Sequence, residues 1–533
     1  MKPLPARHIV LPLLCVFLAT LGNPPAARAE GNGANIKQQR HEAAHRTRRI
    51  IFDNDGNEVV YYMDEATPEA LLKKRTTGVV GTQVDTIVYC TWSSGFSYFT
   101  HNTKVGEPFV STAEEPGKGP GSGFSRNKAQ ALFDQGLDPL TIVADYCREK
   151  EIEFFWSMRM NDVHDAWGAW YSPFLFPPLK KAHPEWLIGS KKNVPPNGTW
   201  SSVDYTRPEI RDLAFKFIEE VCNNYDVDGI QLDFFRHPVY FKSFAFEGNT
   251  TPEERGMMTD LLRRIRSMAD DVGKKRGRPI LISVRVPDSV EYCRAMGFDI
   301  EGWMKDDLID ILVPSGYFRL RPWEDSVALG KKYNIPVYPS LSESRLRDKE
   351  ARSVRASLES YRARAMDVWQ SGADGGYMFN FFHAPHPLWN ELGALETLAP
   401  LNKVYTTGAR GLREMSYWNK KGDQFLRREH LSPERPRTVS PGESANVSLR
   451  VDKPEPGATV TLNLRIKDNV PTDSLAVVYK DVTLPLLKSD GAWRSYNVIP
   501  SIIHTGMNRI AFTNEHTATH AITIDDMNLR VAY

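Results

Sequence analysis

The chain has 533 residues, more than one ordinary domain needs, so two folded units are expected. Charged residues make up 25% and the hydrophobic set 41%, which excludes a disordered, collagen-like or disulfide-scaffold chain. Lys plus Arg total 67 against 66 for Asp plus Glu; a net charge of +1 supplies no field for phosphate, so no nucleic-acid partner is expected.

Residues 1–29 read as a signal peptide. Lys2, Arg7 and His8 open it, Ile9 to Leu21 form an apolar run too short to span a bilayer, and Ala27-Arg28-Ala29 puts small residues at the cut. The expectation is export to the periplasm or beyond, without stable membrane insertion. Residues 30–45 are polar and basic and read as a flexible leader; the basic stripe at 37–49 is the strongest in the chain. Cys15 leaves with the signal, while Cys90, Cys147, Cys222 and Cys293 sit amid apolar neighbours and are expected as buried free thiols. No CxxC or HExxH pattern occurs, so neither a metal nor a cofactor is assigned.

Seven runs then read as strands, at 86–92, 154–159, 229–233, 280–285, 309–313, 335–340 and 375–380. Helical patterns at 138–150, 207–224, 252–275 and 349–371 lie between them, and Thr206-Arg-Pro-Glu209 has the form of a capping box. An eighth strand is expected between Trp186 and Asp204. This alternation predicts an α/β fold, a (β/α)8 TIM-type barrel over residues 46–400. A doubly wound open sheet is the alternative, but TWSSGFS after the first run is not its Gly-rich phosphate turn. Residues 405–533 change texture to alternating runs at 447–451, 459–465, 475–479, 508–512 and 522–531. They predict a C-terminal all-β sandwich, jelly-roll-like, as an accessory domain.

In such a barrel, chemistry belongs at the C-terminal strand ends. In DGIQLDFFRHP, alternation turns Gln231 and Asp233 inward, with Arg236 and His237 following. A buried Asp there needs a function or a partner, and the structural alternative is an ion pair with Arg236 or Arg285. The run ending in RMNDVHD offers Arg159, Asn161, Asp162 and His164; the next offers Arg285 and, just beyond, Asp288. Later strand ends contribute Tyr317, Glu343, Asn380 and His383. So many polar strand ends on one rim suit a polyhydroxylated ligand.

HPEWLIG, VDYTRPEIRDLAFKFIEEVCNNYDVDGIQLDFFRHP and GFDIEGWMKDDLIDILVPSGY resemble the glycosyl-hydrolase-like 10 family, over roughly residues 80–400. That family's barrel has an HPEW-like segment and a helix leading into a DGI-x-x-D strand four. This chain departs from the commoner wording, with Phe234 and Phe235 in place of a second acid and a Tyr. The resemblance implies an exported glycoside hydrolase with a poly- or oligosaccharide substrate. Such hydrolysis needs two carboxyl groups flanking the scissile bond. Asp233 is the candidate nucleophile or charge stabiliser; Asp288, then Glu343, then Asp162 are the candidate acids. Arg159, Arg236 and Arg285 either meet a uronate or sulfate, making the substrate anionic, or hold the carboxylates. The rivals are a carbohydrate-binding barrel without a second acid, and a metal-dependent hydrolase using Asp162, His164 and His383.

Overall fold

Eight parallel strands surround one axis: β1 (Ile50–Asn54), β2 (Val84–Tyr89), β3 (Glu153–Arg159), β4 (Gly229–Asp233), β5 (Leu281–Val286), β6 (Ile311–Pro314), β7 (Ser340–Ser342) and β8 (Gly376–Phe379). The computed structural model describes residues 36–342, 346–408, 422–467, 474–516 and 518–533. Glu343 and the expected signal peptide lie outside the described residues. Neighbours follow chain order from β1 to β6, with β8 beside β1 and β7 beside β8. The ring closes where Leu312 of β6 bridges Val337, with Leu312 N donating to Pro336 O at 3.0 Å and Tyr338 N to Leu312 O at 2.9 Å. The strands are buried on both faces, as a barrel inside a helix layer requires, which is why they read as apolar runs.

The eighth strand is β1, ahead of the seven recognised runs; the stretch from Trp186 to Asp204 instead holds only the small antiparallel bridges Leu187–Val203 and Ser190–Asn193. Ile50-Ile-Phe-Asp-Asn54 escaped notice because it abuts the basic stripe directly. That stripe is also structural, which corrects the flexible leader from residue 36 onward. Helix α1 (Ile36–Ala44) carries buried Arg40, which pairs with Asp307 and, at 3.4 Å, with Asp310. Arg48, fully buried, bonds Glu153 at 2.6 Å and the Ala44 carbonyl at 2.6 Å. Asp310 and Glu153 stand at the entry ends of β6 and β3, so the basic segment is pinned at the barrel's N-terminal end.

The barrel helices that matter here are α2 (Pro139–Glu149), α3 (Pro208–Asn224), α4 (Pro252–Arg276), α5 (Trp323–Tyr333), α6 (Lys349–Ala356) and α7 (Leu358–Gln370). The capping box expected at Thr206–Glu209 is not formed: α3 begins at Pro208 with Arg207 as an N-cap making no side-chain bond. Pro208 presets the helical φ at the first position and removes one orphan amide, so the start needs no box. A box does form on α4, where Glu254 N donates to Thr251 Oγ1 at 3.2 Å and Thr251 N to Glu254 Oε2 at 2.8 Å. The single helix expected at 349–371 breaks at Ser357, whose hydroxyl caps α7 by accepting Ser360 N at 3.2 Å.

After the barrel come β9 (Lys403–Thr406), β10 (Arg437–Val439), β11 (Ser444–Val451), β12 (Thr459–Ile466), β13 (Leu475–Tyr479), β14 (Leu486–Asp490), β15 (Trp493–Val498), β16 (Gly506–Asn514) and β17 (Ile522–Ala532). One sheet runs β9-β17-β12-β15-β14, with β10 also on β17; the other runs β11-β16-β13 and ends on Val482–Thr483. Alternate residues such as Val460, Leu462 and Leu464 fill the core between them. The sandwich lies against the barrel's helices, where Arg465 reaches Asp348 and Glu350, each at 3.0 Å. Cys90, Cys147, Cys222 and Cys293 are buried free thiols.

Candidate active site

Register brings three strand ends side by side. Asp233 of β4 pairs with Arg159 of β3 and with Arg285 of β5, and parallel neighbours at one level share a face. Below that layer, Gln231 accepts Ser157 Oγ at 3.1 Å and Tyr377 OH at 2.9 Å. The rim above is held in unusual backbone. Thr91 and Trp92 beyond β2, Ser315 beyond β6 and Asn380 beyond β8 all have left-handed φ, at 43°, 45°, 73° and 56°. Non-glycine residues held there cost roughly 1–3 kcal/mol each and cluster at functional sites.

Four carboxylates and three guanidiniums interlock on this rim. Asp233 Oδ1 accepts Phe235 N and Arg236 N at 3.0 Å and Arg285 Nε at 3.1 Å, and its other oxygen takes Arg285 Nη2. Arg285 Nη1 stands 3.5 Å from Asp53 Oδ2, and its guanidinium lies 3.8 Å from the Phe379 ring centre. Asp55 meets Arg159 Nη2 at 2.7 Å and Arg236 Nη1 at 3.6 Å. Arg159 Nη1 also stands 3.5 Å from Asp162 Oδ2, and Arg236 Nη1 donates to Asn380 Oδ1 at 3.3 Å. Tyr317 flanks Arg236, 5.6 Å from ring centre to guanidinium. Each expected arginine therefore faces a carboxylate. Arg236 Nε and Asn380 Nδ2 remain buried donors without an acceptor among the described residues.

Environment drives two of these acids apart. Burial pushes the Asp53 carboxyl up to about 7; Arg285 opposes this, and the neighbouring Asp55 and Asp233 charges reinforce it. Asp55 is equally buried, yet Arg159 and Arg236 outweigh that burial and hold it below the usual carboxylate range. Neither residue was singled out in the sequence, because β1 was not recognised. The signal was present in Ile50-Ile-Phe-Asp-Asn-Asp-Gly56, an apolar run ending in two acids and a turn glycine. Gly56 has φ 66°, and a Cβ there would lie 2.8 Å from Thr91 N, so the turn presenting Asp55 admits little else.

Other expected residues have different surroundings. Both Asp288 oxygens accept Leu320 N, at 3.0 and 2.9 Å, and Oδ2 also accepts Arg321 N at 2.9 Å, which ties down the 319–321 loop. Asn161 bonds backbone, donating to Val203 O and Val239 O at 2.9 and 2.7 Å and accepting Val203 N at 3.0 Å, which ties two loops to the rim. The His383 ring packs on Phe381, 5.1 Å between ring centres. His237 instead completes the group expected around Asp162. Ligand atoms of Asp162, His164 and His237 lie within 4.8 Å of one another, an imidazole and carboxylate set of the kind that holds zinc. Within it His164 Nδ1 is 2.7 Å from Asp162 Oδ2, and His237 Nδ1 accepts Val163 N at 3.3 Å. Burial lowers the His237 pKa, and Asp162 opposes that shift.

The model of the Glycosyl hydrolase-like 10 family matches residues 122–256, which span β3, β4 and the helix between them. No curated protein sequence matches the chain. Similar solved structures include a cycloisomaltooligosaccharide glucanotransferase from Paenibacillus sp., 10% identical, TM-score 0.36, over 90% of this chain and 57% of that one. Others are a GH36 alpha-galactosidase from Geobacillus stearothermophilus, 12% identical, TM-score 0.36, over 93% and 58%, and an alpha-L-fucosidase from Paenibacillus thiaminolyticus, 12% identical, TM-score 0.38, over 65% and 48%. The chain thus spans about half the length of these proteins.

Proposed function

We propose that this is an exported glycosidase-type hydrolase, cleaving glycosidic bonds of a poly- or oligosaccharide at the C-terminal rim of its barrel. The observation that carries this reading is the pair of carboxyl groups sharing Arg285, Asp233 bonded to Nε and Nη2 and Asp53 at 3.5 Å from Nη1. A glycosidase needs one protonated and one ionised carboxyl, and the burial that raises Asp53 suits it to be the protonated one. Asp53, with its pKa near 7, is the proton donor in this reading. Asp233, at the strand-four end, is the nucleophile or the anion that stabilises the oxocarbenium-like centre. Asp288 yields the acid role because its carboxylate ties down the 319–321 loop, whereas Asp53 shares Arg285 with Asp233. Arg236 Nε and Asn380 Nδ2 supply donors for sugar hydroxyls. The match to the family model over 122–256 agrees in reaction class.

The test is reducing-sugar release from a panel of neutral and acidic polysaccharides. Activity on at least one, abolished in both Asp53→Asn and Asp233→Asn, is expected. Full activity in either variant overturns its assigned role. A second reading has support from Asp162, His164 and His237, a metal-dependent hydrolase at the same rim. Loss of activity on chelation, restored by zinc, would favour it instead. For export, the mature secreted chain is expected to begin at Glu30.

A further inference from the structure

A cavity of about 490 Å³ lies between the α5–α7 side of the barrel and the sandwich strands β9 and β11, within the size range of small-molecule sites. Among the described residues, Arg319, Arg355, Arg364, Arg427, Arg428 and Arg450 line it. Each acid around it faces an arginine, although Asp367 Oδ1, Glu324 Oε2 and Glu429 Oε2 accept no hydrogen bond among the described residues. Asp367 takes Arg319 Nη1 at 2.7 Å and Arg450 Nε at 3.0 Å, and Glu324 takes Arg450 Nη2. Asp325 and Glu429 face Arg321 at 3.8 Å and Arg437 at 3.6 Å, both outside the lining.

The remaining four guanidiniums have no ion pair among the described residues. Arg364 donates to Ser342 O at 2.9 Å, Arg427 to Gln424 O at 2.7 Å and Arg428 to the Thr407 carbonyl at 3.5 Å. For the Arg355 side chain, no hydrogen bond occurs among the described residues either. Arg364 Nε, Arg428 Nη1 and the Thr406 hydroxyl are buried atoms with no hydrogen-bond partner among the described residues. Burial, then the charges of Arg364 and Arg428, drive the Arg355 pKa down; burial and Arg319 bring Arg428 to about 9. Arg355, Arg364 and Arg428 are each half-buried, and like charges gathered in a partly desolvated cavity repel one another unless an anion joins them.

We infer that this seam cavity binds a sugar bearing a carboxylate or sulfate, its oxyanion gripped by Arg355, Arg364 and Arg428. A planar guanidinium fork matches either group with two parallel hydrogen bonds. Thr406 and Ser448 add hydroxyls suited to a polyhydroxylated ring. The site is separate from the barrel rim, where each arginine already faces a carboxylate.

Isothermal titration of the full chain with digalacturonate, a sulfated disaccharide, cellobiose and inorganic sulfate tests this. One charged disaccharide should bind at least tenfold tighter than cellobiose or sulfate, and which one does so identifies the oxyanion. Arg355→Gln with Arg428→Gln should weaken that binding tenfold or more, while the ligand-free Tm stays level or rises as repulsion is relieved. Asp53→Asn should leave it unchanged. The inference is overturned if neither charged disaccharide outbinds cellobiose and sulfate, if affinity survives the double variant, or if Asp53→Asn abolishes it. Should the double variant not fold, Arg355→Gln alone serves, and a fall in its ligand-free Tm would mark a structural tie and overturn the inference as well.

Discussion

Asp233 answers to two demands at once. In the sequence it looks like a functional anion, and removing such a group from an active site commonly leaves stability level or higher. The structure reverses that second expectation, because Asp233 is the main counter-ion of fully buried Arg285. Asp233→Asn strands that guanidinium, a change worth about 3 kcal/mol or more, larger than the relief from removing one buried anion. The variant should lose at least about a thousandfold in turnover, roughly 4 kcal/mol on the barrier, and also unfold at lower denaturant. Turnover assays beside urea melts check both, and a normal melt would show Arg285 to be held by something else. Asp53 makes the opposite prediction. Its pKa is raised from 3.8 to about 7, so the folded state binds the extra proton, and stability falls as pH rises between those values. Asp53→Asn should flatten the Tm profile from pH 4 to 7 and raise Tm at pH 8. The wild-type kcat/KM should have an alkaline limb near pH 7 where the donor is lost. An unchanged limb on mutating Asp53 would remove it from the acid role.

Among the elements, the caps separate sequence signature from physical cap. Thr206 and Thr251 both stand three residues before a Glu, with Pro nearby, but Pro sits differently in the two. At α4 the order Thr251-Pro-Glu-Glu254 leaves Thr as N-cap, while in Thr206-Arg-Pro-Glu209 the proline starts the helix one residue later. Thr251→Ala should therefore cost about 1 kcal/mol and Thr206→Ala close to nothing. Chemical denaturation of the two variants distinguishes them; equal losses would contradict the observed caps.

For the molecule as a whole, barrel and sandwich share a charged seam. Arg465 bridges to Asp348 and Glu350, and Trp493 Nε1 donates to Glu350 at 2.7 Å. Deleting 405–533 strips these partners from α6, removes Arg450 and Asp452 from Asp367 and Gln370 of α7, and exposes the packed faces of both helices. The shortened chain should melt lower by about 5 °C or more, yet keep hydrolysis of small soluble substrates, because the rim carboxylates all come from the barrel. Loss of that activity in a still-folded truncation would show that the sandwich contributes to the rim.

Local pattern by itself determined the βα alternation, the change to paired strands after residue 400, and the inward set of Gln231 and Asp233, since all follow from periods of 2 and 3.6 read along a few residues. It also determined the buried free cysteines, through their apolar neighbours. Only tertiary structure decided which charges meet. That β1 lies beside β8 puts Asp53 and Asp55 among arginines more than a hundred residues away, and that β4 lies beside β5 gives Asp233 its partner. The basic stripe looked like solvated chain until Arg40 and Arg48 met acids at the entry ends of β6 and β3. Composition fixes how many charges there are, but a pairing energy depends on distance and burial, and those exist only once the barrel has closed.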